Sequence, residues 1–251
     1  MRPPTLRHRI ALASLVVVVV GCAGFGGPAP EPVDAVERHA YQAARSKLTT
    51  DPAAAEKDLA EFVAAYPGSP LAPNAMLRLG ELARGRGDDD AGLAWFERVV
   101  TEHPRHRLVD IARVRIAQVQ IDRDDAEAAT QTLGRARLSR LPPPDRQVAY
   151  RILASAAPDP VAKLRWLARL RKAVETASGN TAFVDAELDE LISQLDGFAI
   201  DRAIDQIGRE VPGARLWIRR AQMSLDGGDI DGAERALKRS AGYPEAPGEQ
   251  P

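Results

Sequence analysis

The sequence predicts an all-α fold, a solenoid of antiparallel helix hairpins containing about twelve helices. Three observations carry that prediction. Alanine, the best helix former, is abundant, while aromatic residues make up only 5% of the chain, so small side chains and close helix approach must build the core. Apolar residues recur at i, i+3, i+4 and i+7 between short Gly, Pro or Asp connections, with no convincing alternating strand after residue 21. Positions 37 residues apart keep their physical class: Leu59, Phe96 and Leu133; Ala75, Ala112 and Ala149; Leu79, Ile116 and Leu153. Such a period is the signature of stacked helical hairpins.

Residues 1–21 are expected to be a signal peptide. Arg2, Arg7 and Arg9 form a basic head. Ile10 to Val20 is apolar except for Ser14, about half the ~20 residues that a spanning helix needs. Val19-Val20-Gly21-Cys22 resembles the lipobox of bacterial lipoproteins. The resemblance implies lipidation of Cys22, cleavage before it and a second acylation. Ala23, in a place where Asp often marks retention in the inner membrane, implies the periplasmic face of the outer membrane. Two or more acyl chains anchor firmly. Cys22 is the only cysteine, so its lipidation leaves no thiol for a disulfide, a metal or a nucleophile. Residues 22–32, rich in Gly and Pro, read as a lipidated tether.

Residues 33–142 are expected to hold the clearest repeats. Asp51-Pro52 opens a helix as N-cap and first residue, Leu59, Phe62, Val63 and Tyr66 form its stripe, and Pro67-Gly68 ends it. Residues 143–211 read as degenerate helical repeats. There Asp159-Pro160 precedes Leu164, Leu167, Ala168 and Val174, and Gly179-Asn180 ends that helix. Thr181 is expected to cap the next one, whose stripe is Val184, Leu188, Leu191, Ile192 and Leu195. Residues 212–243 read as a last repeat and residues 244–251 as a disordered tail or linker.

Met76-x2-Leu79-Gly80-x2-Ala83, then Gly87-Asp88, Ala91-x3-Trp95 and Pro104, resemble the tetratricopeptide repeat. The resemblance implies a right-handed solenoid in which Gly80 and Ala91 are small where two helices touch, with Leu79 and Trp95 filling the gaps. Trp217-x2-Arg220-Ala221, Gly228-Asp229, Ala233-x3-Leu237 and Pro244 resemble a second unit, with Trp217, Ala221 and Ala233 in packing positions. "EFVAAYPGSPLAPNAMLRLGELARG" and "WFERVVTEHPRHRLVDIA" resemble bacterial envelope lipoproteins of the BamD and CpoB types. They are also similar to the N-terminal helical region of LpoA-type penicillin-binding-protein activators. The first resemblance implies a lipid-anchored scaffold that mediates protein–protein interactions in outer-membrane or cell-envelope biogenesis. The second implies the helical arm of an activator that regulates peptidoglycan synthesis.

Without residues 1–21, which carry three of the 34 basic residues and none of the 35 acidic ones, the formal charge is −4. So mild a value gives no global reason to expect nucleic-acid binding. No phosphate loop, Gly-x-Ser-x-Gly or His-Glu-x-x-His pattern occurs, so neither an enzyme nor a cofactor is expected. His103 and His106 lie among arginines that repel a cation, and no metal site is expected there. Asp88-Asp89-Asp90 lacks the spacing of a calcium loop and is expected to cap the helix near Ala91. Asp185, Glu187, Asp189 and Glu190 are expected on the wet face of their helix. Two basic clusters remain, Arg98 with Arg105, Arg107, Arg113 and Arg115, and Lys163 with Arg165, Arg169, Arg171 and Lys172. The candidate docking surface is Arg105, Arg107, Arg113, Arg115, Arg165 and Trp166, the last because it lies off its helix's stripe. The expected partners are envelope proteins, with the chain monomeric by itself.

Overall fold

The computed structural model describes residues 33–207 and 212–243. The expected signal peptide, Cys22, the tether and the tail lie outside the described residues. Twelve α-helices are present among the described residues, with no strand. They are α1 (Ala35–Ser46), α2 (Pro52–Ala65), α3 (Ala72–Gly85), α4 (Asp89–Glu102), α5 (Val109–Asp122) and α6 (Ala126–Gly134), then α7 (Pro143–Ser155), α8 (Pro160–Thr176), α9 (Ala182–Gln194), α10 (Gly197–Ile207), α11 (Gly213–Asp226) and α12 (Ile230–Ser240). A single 3₁₀ turn, Leu138–Arg140, precedes α7.

The two kinds of helix start differ. Every even-numbered helix begins at an aspartate whose carboxylate accepts a backbone N–H of the first turn: Asp51, Asp88, Asp125, Asp159, Asp196 and Asp229. Each satisfies an orphan donor and places negative charge at the positive helix end. Among odd-numbered helices only α1 has such a cap, Asp34. α3, α5, α7 and α11 start from Leu71, Leu108, Pro142 and Pro212 without a side-chain bond. Thr181 does not cap α9 as expected; the Asn180 side chain accepts the Ala182 N–H instead.

Tight turns join the hairpins. Asp88 N–H reaches Ala83 O, Asp125 reaches Gln120 O and Asp229 reaches Ser224 O, the same six-residue closure in each case. The residue just before each aspartate is left-handed: Gly87 at φ +81°, Asp124 at +60° and Gly228 at +76°. Asp124 therefore bears a strain that glycine avoids at the other two turns. Asp124→Gly is expected to raise stability by about 0.5 kcal/mol, and Gly87→Ala to lower it by about 1 kcal/mol. Urea denaturation of both variants checks this, and a destabilised Asp124→Gly would contradict it.

Packing follows chain order. Each helix from α1 to α8 rests on the next, and contacts also skip a helix between α5 and α7, α8 and α10, and α9 and α11. The 37-residue columns form the interior: Leu59, Phe96, Leu133, Ala75, Ala112 and Ala149 are essentially inaccessible, and Leu79, Ile116 and Leu153 nearly so. One apolar cluster covers α1–α5, a second α5–α7 and a third α7–α11. Ile111 packs against the first and second, Trp166 against the second and third, so the core continues along the array. A small cluster of Ala221, Ala233 and Ala236 under Trp217 joins α11 to α12.

The closest helix approach is one residue later than the sequence pattern suggested. Ala91 is only partly buried, and the small residue between α3 and α4 is Gly92. A Cβ there would lie 2.6 Å from Arg84 Cγ and 3.1 Å from Gly80 O. A Cβ on Gly80 would lie 2.3 Å from the Phe96 ring, so the ring that fills the gap is Phe96 rather than Trp95. Trp95 packs at the edge of the same core, with the Arg98 guanidinium 4.6 Å from its ring centroid. Ala117 with Ala129, and Ala221 with Ala233, repeat the Gly80–Gly92 spacing and are buried.

Candidate functional site

The residues expected to form one docking surface separate into three environments. Arg105 and Arg107 are exposed in the loop between α4 and α5. Arg113 and Arg115 are held inside the array instead. Arg113 bonds Asp110 at 2.9 Å and Arg135 O at 2.9 Å, and Asp110, almost fully buried, also receives Arg137 at 3.1 Å. Arg115 pairs with Asp145 at 2.8 Å and lies 3.6 Å from Glu81, linking α3, α5 and α7. Both act as structural ties: Arg113 joins Asp110 of its own helix to the end of α6, and Arg115 reaches acids of the two neighbouring hairpins. Arg165 is exposed, and Trp166 is partly buried between two core clusters. The Trp166 ring stacks on Tyr150 with centroids 6.0 Å apart, and Arg169 and Arg165 lie 4.7 and 5.8 Å from its centroid.

The carboxylates of α9 are likewise more engaged than expected. Asp185 accepts Arg171 at 2.7 Å and pairs with Arg215 at 3.0 Å, and Glu187 joins Arg151 to Lys163. Burial alone would raise both carboxyls; hydrogen bonds and the adjacent cations outweigh it and hold them below the ordinary range. Asp189 and Glu190 are exposed, Asp189 against Arg215. Asp88 is the α4 cap, Asp89 holds Arg84 at 3.0 Å and Asp90 holds Arg123 at 2.6 Å.

His106 Nδ1 accepts the Leu108 N–H at 3.3 Å, and burial holds both His103 and His106 below the usual imidazole range. Among the described residues no three His, Cys, Asp or Glu side chains converge as a metal would require. No helix among them is long and apolar enough to cross a membrane.

Two concavities lie along α7 and α8. The first, of about 360 Å³, is lined by Ile121, Val148, Ile152, Leu170, Val174 and Phe183, with Gln118, Asp122, Gln147 and Arg151 as polar neighbours. Phe183 is 57% exposed, and the Arg151 guanidinium lies 5.3 Å from its ring centroid. Sequence reasoning missed this groove because its lining comes from four helices, α5, α7, α8 and α9. The available signal was Phe183 itself, an aromatic outside the Val184–Leu188–Ile192 stripe. The second concavity, of about 330 Å³, is lined by Ser139, Arg146, Tyr150, Arg169, Lys172, Ala173 and Thr176.

The profile of the tetratricopeptide repeat-like domain matches residues 9–141. Among solved structures, the chain is similar to a tetratricopeptide repeat protein from Parabacteroides merdae ATCC 43184. The identity is 14%, over 84% of this chain and 94% of that one, with a TM-score of 0.28, too low to transfer structural detail. No curated protein matches.

Proposed function

The chain belongs to the tetratricopeptide repeat-like domain family, and from that premise we propose that it is a lipid-anchored binding scaffold of the cell envelope. Tetratricopeptide repeats generally mediate protein–protein interactions and are typically non-enzymatic. The observation that carries the reading is the groove beside Phe183. It is apolar, open to solvent and built from consecutive hairpins, so it can accept apolar side chains from a helical or extended segment of a partner protein. The exposed aromatic at its edge is the type of residue in which binding energy concentrates.

Attachment through lipid on Cys22, at the periplasmic face of the outer membrane, is supported by the basic head, the short apolar run and the lipobox-like Val19-Val20-Gly21-Cys22. The likeness to BamD- and CpoB-type proteins supports a role in outer-membrane or envelope biogenesis. One experiment tests both parts. A photoreactive phenylalanine analogue at position 183 should give discrete protein adducts in the native envelope, absent when the analogue stands at exposed position 94. The adducts should fractionate with outer membranes, and Cys22→Ser should release the protein from that fraction. Absence of adducts specific to position 183 would remove the groove reading, and membrane association surviving Cys22→Ser would remove the anchor.

A further inference from the structure

The basic residues of α8 fall into two groups. Lys163 lies 3.2 Å from Glu187, and Arg171 is buried against Asp185 and Glu175, so these charges are neutralised within the fold. Arg165, Arg169 and Lys172 share one exposed face with Thr176, at the i, i+4, i+7, i+11 spacing of a helical stripe. Arg169 and Lys172 open into the second concavity, where Arg146 faces them from α7. Among the described residues none of these three cations has an ion-pair partner, and no carboxylate lines the pocket. Basic groups at other helix contacts are paired with acids, as in Lys47–Asp58 and Arg220–Asp201.

We infer that this pocket receives an acidic segment of a partner protein, with carboxylate side chains placed between Arg146, Arg169 and Lys172. Three like charges gathered in a concavity repel one another, and low-dielectric walls focus their field, so an incoming carboxylate gains on both counts. Stacking on Trp166 pre-orients the Arg169 guanidinium, leaving its planar fork available for bidentate contact with a carboxylate. Tyr150 adds a phenol, and Ser139 and Thr176 add hydroxyls, at the same wall. The volume of about 330 Å³ suits one or two acidic side chains rather than a whole helix. The inference rests on the scaffold reading and assigns it a second, charged contact on α7 and α8, which also line the apolar groove.

The test is fluorescence anisotropy on the detergent-solubilised full chain, with a labelled octaglutamate peptide as probe and octaglutamine as control. Octaglutamate should bind saturably and release with salt, while octaglutamine should not bind. Combined Arg169→Glu and Lys172→Glu should weaken binding at least tenfold with an unchanged melting temperature. The same charge change at Arg105 and Arg107, also exposed and without ion-pair partners among the described residues, should weaken it less than twofold. Equal losses from the two pairs would mean diffuse attraction and would overturn the pocket. So would phosphatidylglycerol vesicles that bind more tightly than the peptide and lose binding through the same Arg169 and Lys172 changes. Adducts at position 183 report on the scaffold reading independently, so their persistence alongside failed octaglutamate binding would discard only this site.

Discussion

Arg113→Glu is expected to lower stability by about 3 kcal/mol, the lower end of the cost of breaking a buried ion pair, since Arg113 is itself partly exposed. The new carboxylate would stand beside Asp110, whose side chain is only 6% exposed. Asp110 would keep Arg137, a more exposed partner, and Arg135 O would lose its donor. For a chain of this size that corresponds to a fall in melting temperature of roughly 10 °C. Replacing Arg105 and Arg107 together should shift it little, because exposed surface changes away from special features usually stay within about 0.5 kcal/mol. Thermal melts followed by circular dichroism distinguish the two sites. Comparable midpoints for the Arg113 variant and the surface pair would show that the Asp110 network contributes nothing to folding.

Phe96→Ala should be at least as severe, about 3–5 kcal/mol, since the ring is inaccessible and truncation leaves a cavity beside Gly80. Gly80→Ala tests the same contact from the other side. Alanine is the better helix former by about 1 kcal/mol. Its methyl, however, would meet the Phe96 ring at 2.3 Å, and overpacking typically costs about 1–3 kcal/mol. Loss should therefore outweigh gain. In a Phe96→Leu background the methyl gains room, so a double-mutant cycle should return a favourable coupling of about 1 kcal/mol or more. Additive costs would show that the two residues do not touch.

The interior of this fold was legible in the sequence wherever a single helix carries the information. Leu59, Phe96 and Leu133 announce their column by spacing alone, and Asp51-Pro52 and Asp159-Pro160 mark helix starts by local chemistry. The helix contact at α3 and α4 was ambiguous for a specific reason. Ala91 with Trp95 and Gly92 with Phe96 both offer a small residue followed four positions later by an aromatic. The cap agrees with the Phe96 column in choosing the second: the small residue stands four places after the capping aspartate in Asp51–Ala55, Asp88–Gly92, Asp125–Ala129 and Asp229–Ala233. The roles of Arg113 and Arg115 were not legible, because Arg113 also reaches Arg135 O, 22 residues on, and the acids of Arg115, Glu81 and Asp145, belong to other hairpins. Counted along the chain, the arginines look like one basic patch; folded, some are internal ties and others face solvent.

The alternation of helix starts has an electrical consequence. Antiparallel neighbours along α1–α8 place the starts of α2, α4, α6 and α8 at one edge of the stack and the starts of α3, α5 and α7 at the other. The loops at the first edge carry the carboxylates of Asp51, Asp88, Asp124, Asp125 and Asp159 against the cations Lys47, Arg86 and Arg123. The loops at the second carry Arg105, Arg107, Arg135, Arg137 and Arg140 and no acidic residue. The α1–α8 array is thus polarised from one edge to the other, with a transverse dipole that a net-charge count conceals. In the field of a charged surface it experiences a torque rather than a simple pull, so the stack turns its arginine edge toward negative charge before any contact forms.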